Sequence, residues 1–116
     1  MVNCLSNAEM ERKRIKMEIT EIRRDDKIVL SVSGRVDSTN SSQLQHAILL
    51  AFQKMNQIEL DFKDLAYLSS AGLRALMIGQ KTANANGKTM ILRNVNEMVM
   101  EVFDITGFAD ILTIEK

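Results

Sequence analysis

The sequence predicts an α/β domain, a mixed β-sheet with amphipathic helices packed mainly on one face, in the order ββαβαβα with a candidate final strand. Three observations predict it. Runs rich in β-branched residues alternate with stretches whose apolar side chains recur every three or four positions. The alternation begins with two strand-like runs in succession, which supply an antiparallel edge, while the later alternation implies parallel pairings with right-handed crossovers. Finally, 116 residues, 46% of them hydrophobic, suffice for one core without disulfides or metals.

Residues 1–16 show no strand or helix period and end in Glu11-Arg12-Lys13-Arg14-Ile15-Lys16, so they read as a flexible N-terminal tail ahead of a domain at 17–116. Met17 is a candidate functional start. Codons for Glu, Arg and Lys can be purine-rich, as a translated ribosome-binding region upstream of Met17 would be, and a basic arm is the competing reading. Met17 to Arg24 and Lys27 to Gly34 read as a hairpin around Asp25-Asp26. Ile28, Leu30 and Val32 alternate with Val29, Ser31 and Ser33, and Ile58, Leu60 and Phe62 alternate with Glu59 and Asp61, so one sheet face is covered and the other wetter. Between these strands Leu44, Ala47, Ile48, Ala51, Phe52 and Met55 form the stripe of a first helix, which starts near Asp37 to Asn40, where short side-chain oxygens can accept first-turn amides. Lys63 to Ser69 reads as a loop into a second helix from about Ser70 to Ala85, ended by Asn86-Gly87. Thr89 to Arg93 is a short strand. Val95, Met98, Val99, Val102 and Phe103 mark a third helix closed by Gly107, and Asp110 to Glu115 is the candidate last strand.

Fifteen basic residues balance fifteen acidic ones, with no basic face to neutralise a row of phosphates, which argues against a nucleic-acid partner. Removing Arg12, Lys13, Arg14 and Lys16 leaves 11 basic residues and removing Glu9 and Glu11 leaves 13 acidic, a net of about −2 for the domain. Cys4 is the only cysteine, so no internal disulfide or cysteine zinc cluster can form, and a reducing cytoplasm fits best. No run approaches the roughly 18 to 20 apolar residues that span a bilayer, and no apolar secretion-signal core precedes the domain. The expectation is a soluble cytoplasmic protein with no membrane partner. Most of the eight methionines, Met77 and Met98 among them, read as core fillers, with Met100, off the third stripe, a candidate interface residue.

Most chemistry lacks its parts. His46 has no second histidine to share a metal. Gly87-Lys88-Thr89 has Thr82 where a phosphate-binding loop needs its first glycine, and it enters a strand. Asp37, Asp61 and Asp64 sit at or just beyond strand ends, where three carboxylates can bind Mg²⁺ or, more plainly, cap a helix and meet backbone amides. The sharper feature is Tyr67-Leu68-Ser69-Ser70-Ala71-Gly72-Leu73-Arg74-Ala75-Leu76. Here Ser70 or Ser69 can cap the second helix, and Gly72, unfavourable inside a helix by about 1 kcal/mol against Ala, implies close approach to the backbone, by a partner or by helix packing.

Four motifs in order, Gly34-Arg35-Val36-Asp37, Leu60-Asp61-Phe62, Ser69-Ser70-Ala71-Gly72-Leu73 and Val102-Phe103 through Gly107-Phe108, carry a resemblance over residues 17–116. The chain resembles the STAS domain and the stand-alone anti-sigma factor antagonists. That resemblance implies a non-enzymatic protein without cofactors, bound by an anti-sigma factor serine kinase of histidine-kinase-like ATPase fold. The kinase phosphorylates one serine, the antagonist leaves, and a phosphoserine phosphatase restores it. By position the serine is Ser70, with Ser69 the alternative, because the family often has Asp immediately before the phosphorylated residue and this chain has Ser69 there. The implied partner-binding residues are Asp37, Ser69, Ser70, Gly72 and Arg74, with Asp61 behind the site. The alternative implied function is a STAS scaffold in another complex, such as a stress-signalling or lipid-transport assembly.

Overall fold

The computed structural model describes residues 17–115, so the tail expected at 1–16 lies outside the described residues. Strands β1 (Glu18–Arg23) and β2 (Ile28–Val36) form the antiparallel hairpin, its turn closed by Arg24 N donating to Lys27 O at 2.8 Å. Then follow α1 (Ser41–Lys54), β3 (Gln57–Asp61), β4 (Leu65–Leu68), α2 (Ser70–Ala85), β5 (Thr89–Arg93), α3 (Glu97–Thr106), a single 3₁₀ turn at Phe108–Asp110, and β6 (Thr113–Glu115). The sheet order is β1-β2-β3-β5-β6, with β4 pairing the far end of β2, and every pairing after the hairpin is parallel. The connections β2-α1-β3, β4-α2-β5 and β5-α3-β6 all step the same way across the sheet. Right-handed crossovers therefore put all three helices on one face.

That face is the core. Ile28, Leu30, Val32, Ile58, Leu60, Met90 and Leu92 from alternate strand positions join Leu44, Ile48, Phe52, Leu76, Val99 and Phe103 from the helices in one buried cluster. The other face holds Val29, Glu59, Ile91 and Thr113 across successive strands, with Ser31, Asp61, Arg93 and Glu115 one row on. Glu59 is 4% exposed there. Lys27 Nζ lies 2.5 Å from Glu59 Oε2 and Arg93 Nε 2.8 Å from Oε1, although Arg93 Nε makes no hydrogen bond among the described residues and the second contact is purely ionic. Arg93 also reaches Glu115 at 2.6 Å, so Glu59 ties the residue before β2 to β3 and β5, and Arg93 carries the link on to β6.

The fold corrects four local expectations. The loop at Lys63–Ser69 contains β4, a strand that exists because β2 runs past Gly34, where a register shift and a φ of 88° let it change partner from β3 to β4. The first helix starts at Ser41, and its cap residue Asn40 makes no side-chain bond into the first turn: Asn40 Oδ1 turns back to accept Asp37 N at 2.9 Å. In the third helix Met98 is 61% exposed whereas Met100 packs against the core, reversing their expected roles. The final strand is three residues long because the 3₁₀ turn takes up its predicted start. Elsewhere the second helix runs over the predicted span, and the Gly107 that closes α3 has φ 81°.

Candidate functional site

The site forms where β2 and β4 end side by side. Val36 pairs with Leu68, and Ser69 N donates to Val36 O at 2.9 Å, so the next residues, Asp37 and Ser69, leave adjacent parallel strands together. One pair earlier Arg35 lies over the Tyr67 ring, 4.1 Å from its centroid. Asp37 is tied down locally. Its Oδ1 accepts Thr39 Oγ1 at 2.6 Å and Thr39 N at 2.9 Å, while its carbonyl accepts Ser41 N. The Thr39 hydroxyl and then the Thr39 amide hold the Asp37 carboxyl below the usual aspartate range, because each favours the charged form.

Ser69 is the cap of α2. It has extended backbone, and its Oγ accepts Gly72 N at 3.3 Å, leaving Ser70 as the first helical residue. Ser70 is exposed, and its hydroxyl takes part in no hydrogen bond among the described residues. Of two adjacent hydroxyls, one is committed to the helix and the other is exposed at its positive end. Arg74, also exposed, stands four residues on and so on the same side of α2.

Of the two close approaches expected for Gly72, packing is the one seen within the fold. It is buried, and a Cβ built on it would lie 2.5 Å from Leu68 Cδ1 and 2.9 Å from Val36 Cγ1. The backbone is approached closely, but by the ends of β4 and β2, so the glycine sets how near α2 sits to the strands that carry Asp37 and Ser69. Asp61 is likewise structural: its Oδ1 accepts Lys63 N and Asn94 Nδ2, both at 3.0 Å, which ties the turn after β3 to the turn after β5. Among the described residues no three His, Cys, Asp or Glu side chains gather as a metal site would require, so Asp37, Asp61 and Asp64 do not form a trio. Lys88 Nζ donates to Phe52 O at the end of α1, a structural use for the Gly87-Lys88-Thr89 motif, and His46 is exposed on α1.

One supporting residue left little trace in the sequence. Asn96 caps α3 by accepting Val99 N at 2.8 Å and donates its Nδ2 to Leu65 O at 2.9 Å, fastening β4, and thereby Ser69, to the third helix. An Asn before an apolar run signals the cap, but only the fold shows the second bond. No helix among the described residues is long and apolar enough to cross a membrane.

The profile of the family described as Mlab, STAS domain, matches residues 19–113. The chain is 30% identical over 99 residues to BtrV of Bordetella bronchiseptica, a protein named as a candidate anti-sigma factor antagonist, covering 84% of this chain and 85% of that one. It is 26% identical over 90 residues to the anti-sigma-B factor antagonist of Bacillus subtilis, covering 78% and 83%. The fold is similar to that of the anti-sigma factor antagonist SpoIIAA of Bacillus. Its unphosphorylated form aligns with a TM-score of 0.70 at 19% identity, over 86% of this chain and 88% of that one, and its phosphorylated form with 0.65 at 20%, over 86% and 91%.

Proposed function

The chain belongs to the STAS domain family, and from that premise we propose that it is an anti-sigma factor antagonist that binds an anti-sigma factor serine kinase and is released when Ser70 is phosphorylated. The observation that carries the reading is the division of labour between the two serines: Ser69 Oγ holds the helix cap, and the Ser70 hydroxyl is exposed and has no hydrogen-bond partner among the described residues. A kinase can take the second without dismantling the first. The names of the curated relatives support the antagonist role, and the phosphorylated form known for SpoIIAA supports a switch of this kind.

The physical account is an electrostatic veto. Phosphate on Ser70 adds about −1.5 to −2 charge and three acceptor oxygens at the N-terminus of α2, where the helix dipole and Arg74 favour it. The free domain tolerates the group. Against a docked partner the same dianion loses its water, close to an Asp37 that its Thr39 bonds keep charged, and desolvation and repulsion oppose the complex. ATP and Mg²⁺ belong to the partner, a phosphoserine phosphatase resets the switch, and the exchange takes place in the cytoplasm. The partner surface then comprises Asp37, Ser70 and Arg74, with Ser69 and Gly72 shaping it from beneath.

The test is a pull-down from native lysate followed by phosphorylation with the recovered kinase, ATP and Mg²⁺. Tandem mass spectrometry is expected to find one phosphate, on Ser70. Recovery of no kinase-fold protein, or a phosphate confined to Ser38, Ser41 or Ser42, overturns the reading.

A further inference from the structure

The outer face of α3 is built as no other described surface is. Met98 is 61% and Ile105 77% exposed, the highest values among the large exposed hydrophobics of the described residues. They are seven residues apart, so at 1.5 Å per residue they lie about 10 Å apart on one side of the helix, opposite Val99 and Phe103, which face the core. Glu97, Glu101 and Asp104 run beside them at four- and three-residue spacing, and no ion pair among the described residues engages these three carboxylates. From Asn94 to Glu115 the chain contains no Lys or Arg. A stable helix gains nothing from exposing two large apolar side chains, Met98 and Ile105, beside carboxylates with no ion-pair partner among the described residues, and such a face is the signature of an interaction surface.

We propose that this stripe docks a basic amphipathic helix of a partner protein, one with apolar residues at i, i+3/i+4 and i+7 flanked by Lys or Arg. The heptad separation of Met98 and Ile105 matches that anchor spacing, and the acidic row fixes the sign of the flank. The same row repels a nucleic acid or an anionic membrane. A second copy docked stripe to stripe would bring carboxylates and no cation. The surface lies on α3 and not on the strand ends that carry Asp37 and Ser70, so it is a second contact, independent of the serine switch.

The experiment uses the full chain and an 18-residue fluorescent helical peptide with a leucine stripe and lysine flanks, with a glutamate-flanked version as control. Binding is expected for the lysine peptide only, weakening as salt rises. Amide shifts should be confined to α3 and the adjoining 3₁₀ turn. Affinity should fall at least tenfold in Glu97→Lys/Glu101→Lys/Asp104→Lys and in Met98→Ser/Ile105→Ser, whose folds are checked by circular dichroism. Ser70→Asp should bind the peptide like the parent. Equal binding by both α3 variants, shifts elsewhere, or no binding overturns the proposal. Two other occupants are also outcomes that overturn it. If Arg12→Glu/Lys13→Glu/Arg14→Glu shifts the α3 amides without peptide, the chain's own N-terminal residues fill the stripe; if sedimentation finds a dimer that Ile105→Ser dissolves, a second copy does.

Discussion

Ser69 and Ser70 differ by one position and therefore by backbone conformation, and that difference separates a hydroxyl that caps α2 from one exposed on its first turn. Ser69→Ala removes the bond to Gly72 N and should cost about 1 kcal/mol of stability. Ser70→Ala should be neutral or gain a few tenths of a kcal/mol, since Ala is the better helix former and no described bond is lost. Urea denaturation of the two variants checks the order; a larger loss for Ser70→Ala would return the cap to Ser70 and remove the basis for its freedom. Gly72 makes an equally local prediction. Gly72→Ala should gain up to about 1 kcal/mol of helix propensity but lose about 1–3 kcal/mol to overpacking, for a net destabilisation. Leu68 Cδ1 can swing aside, whereas Val36 is a stiff β-branched side chain with no exposed surface. If Gly72→Ala is as stable as the parent and binds the kinase more weakly, the glycine serves the interface after all.

At the scale of elements, helices were legible wherever one apolar stripe had a unique orientation. Leu44, Ile48, Ala51 and Phe52 left α1 no alternative, and Gly107 marked the end of α3. The orientation of α3 was not legible, because methionines at 98 and 100 fit helical stripes on different sides and only packing chooses between them. β4 was invisible for another reason. Leu-Ala-Tyr-Leu, buried at its ends and exposed in its middle, has neither the alternation of a half-covered strand nor the apolar run of a covered one. Its existence depends on the bulge at Gly34, a tertiary fact. At the site the hydroxyl pair and Asp37 were legible as helix-start residues, but which serine caps is set by where the backbone turns helical, and the burial of Gly72 by Leu68, four residues earlier, and the distant Val36. Asn96 tests how β4 is held. Asn96→Asp keeps a cap acceptor and loses the donor to Leu65 O, while Asn96→Ala loses both. Hydrogen exchange should quicken at 65–68 in both variants, with the cap itself costing a further 1 kcal/mol or so only in Asn96→Ala. Equal exchange in parent and Asn96→Asp would show that the side-chain bond does not hold the strand. On the open face, Glu59→Gln should lower stability by about 1–2 kcal/mol, less than a fully buried pair would, because Lys27 and Arg93 are partly exposed and can turn to water. A denaturation midpoint unchanged from the parent would mean the carboxylate's charge does not tie the strands.

At the scale of the whole molecule, one core lies on one side of one sheet, and the serine site occupies its rim. Ser70 is exposed and outside the buried cluster, so a phosphate there changes what a partner meets without changing what the core contains. The alternative is a conformational switch, in which phosphate pulls α2 away from the ends of β2 and β4. The close approach of Leu68 and Val36 to Gly72 opposes that, since separating them uncovers apolar surface at roughly 25 cal/mol per Å². The veto therefore predicts that phosphorylated and unphosphorylated protein unfold with the same m-value, and that the phosphorylated form is as stable or slightly more so, by about 0.3–1 kcal/mol, because negative charge favours a helix N-terminus. Kinase binding should nevertheless fall by at least tenfold, for which about 1.4 kcal/mol is enough. Ser70→Asp, with less charge, should show the same pattern more weakly. Urea unfolding and calorimetric titration on the same two samples give both numbers. A lower m-value with phosphate, or new fast-exchanging amides along α2, would mean the domain is rebuilt by its modification; equal affinity of both forms would mean that charge at residue 70 does not govern association at all.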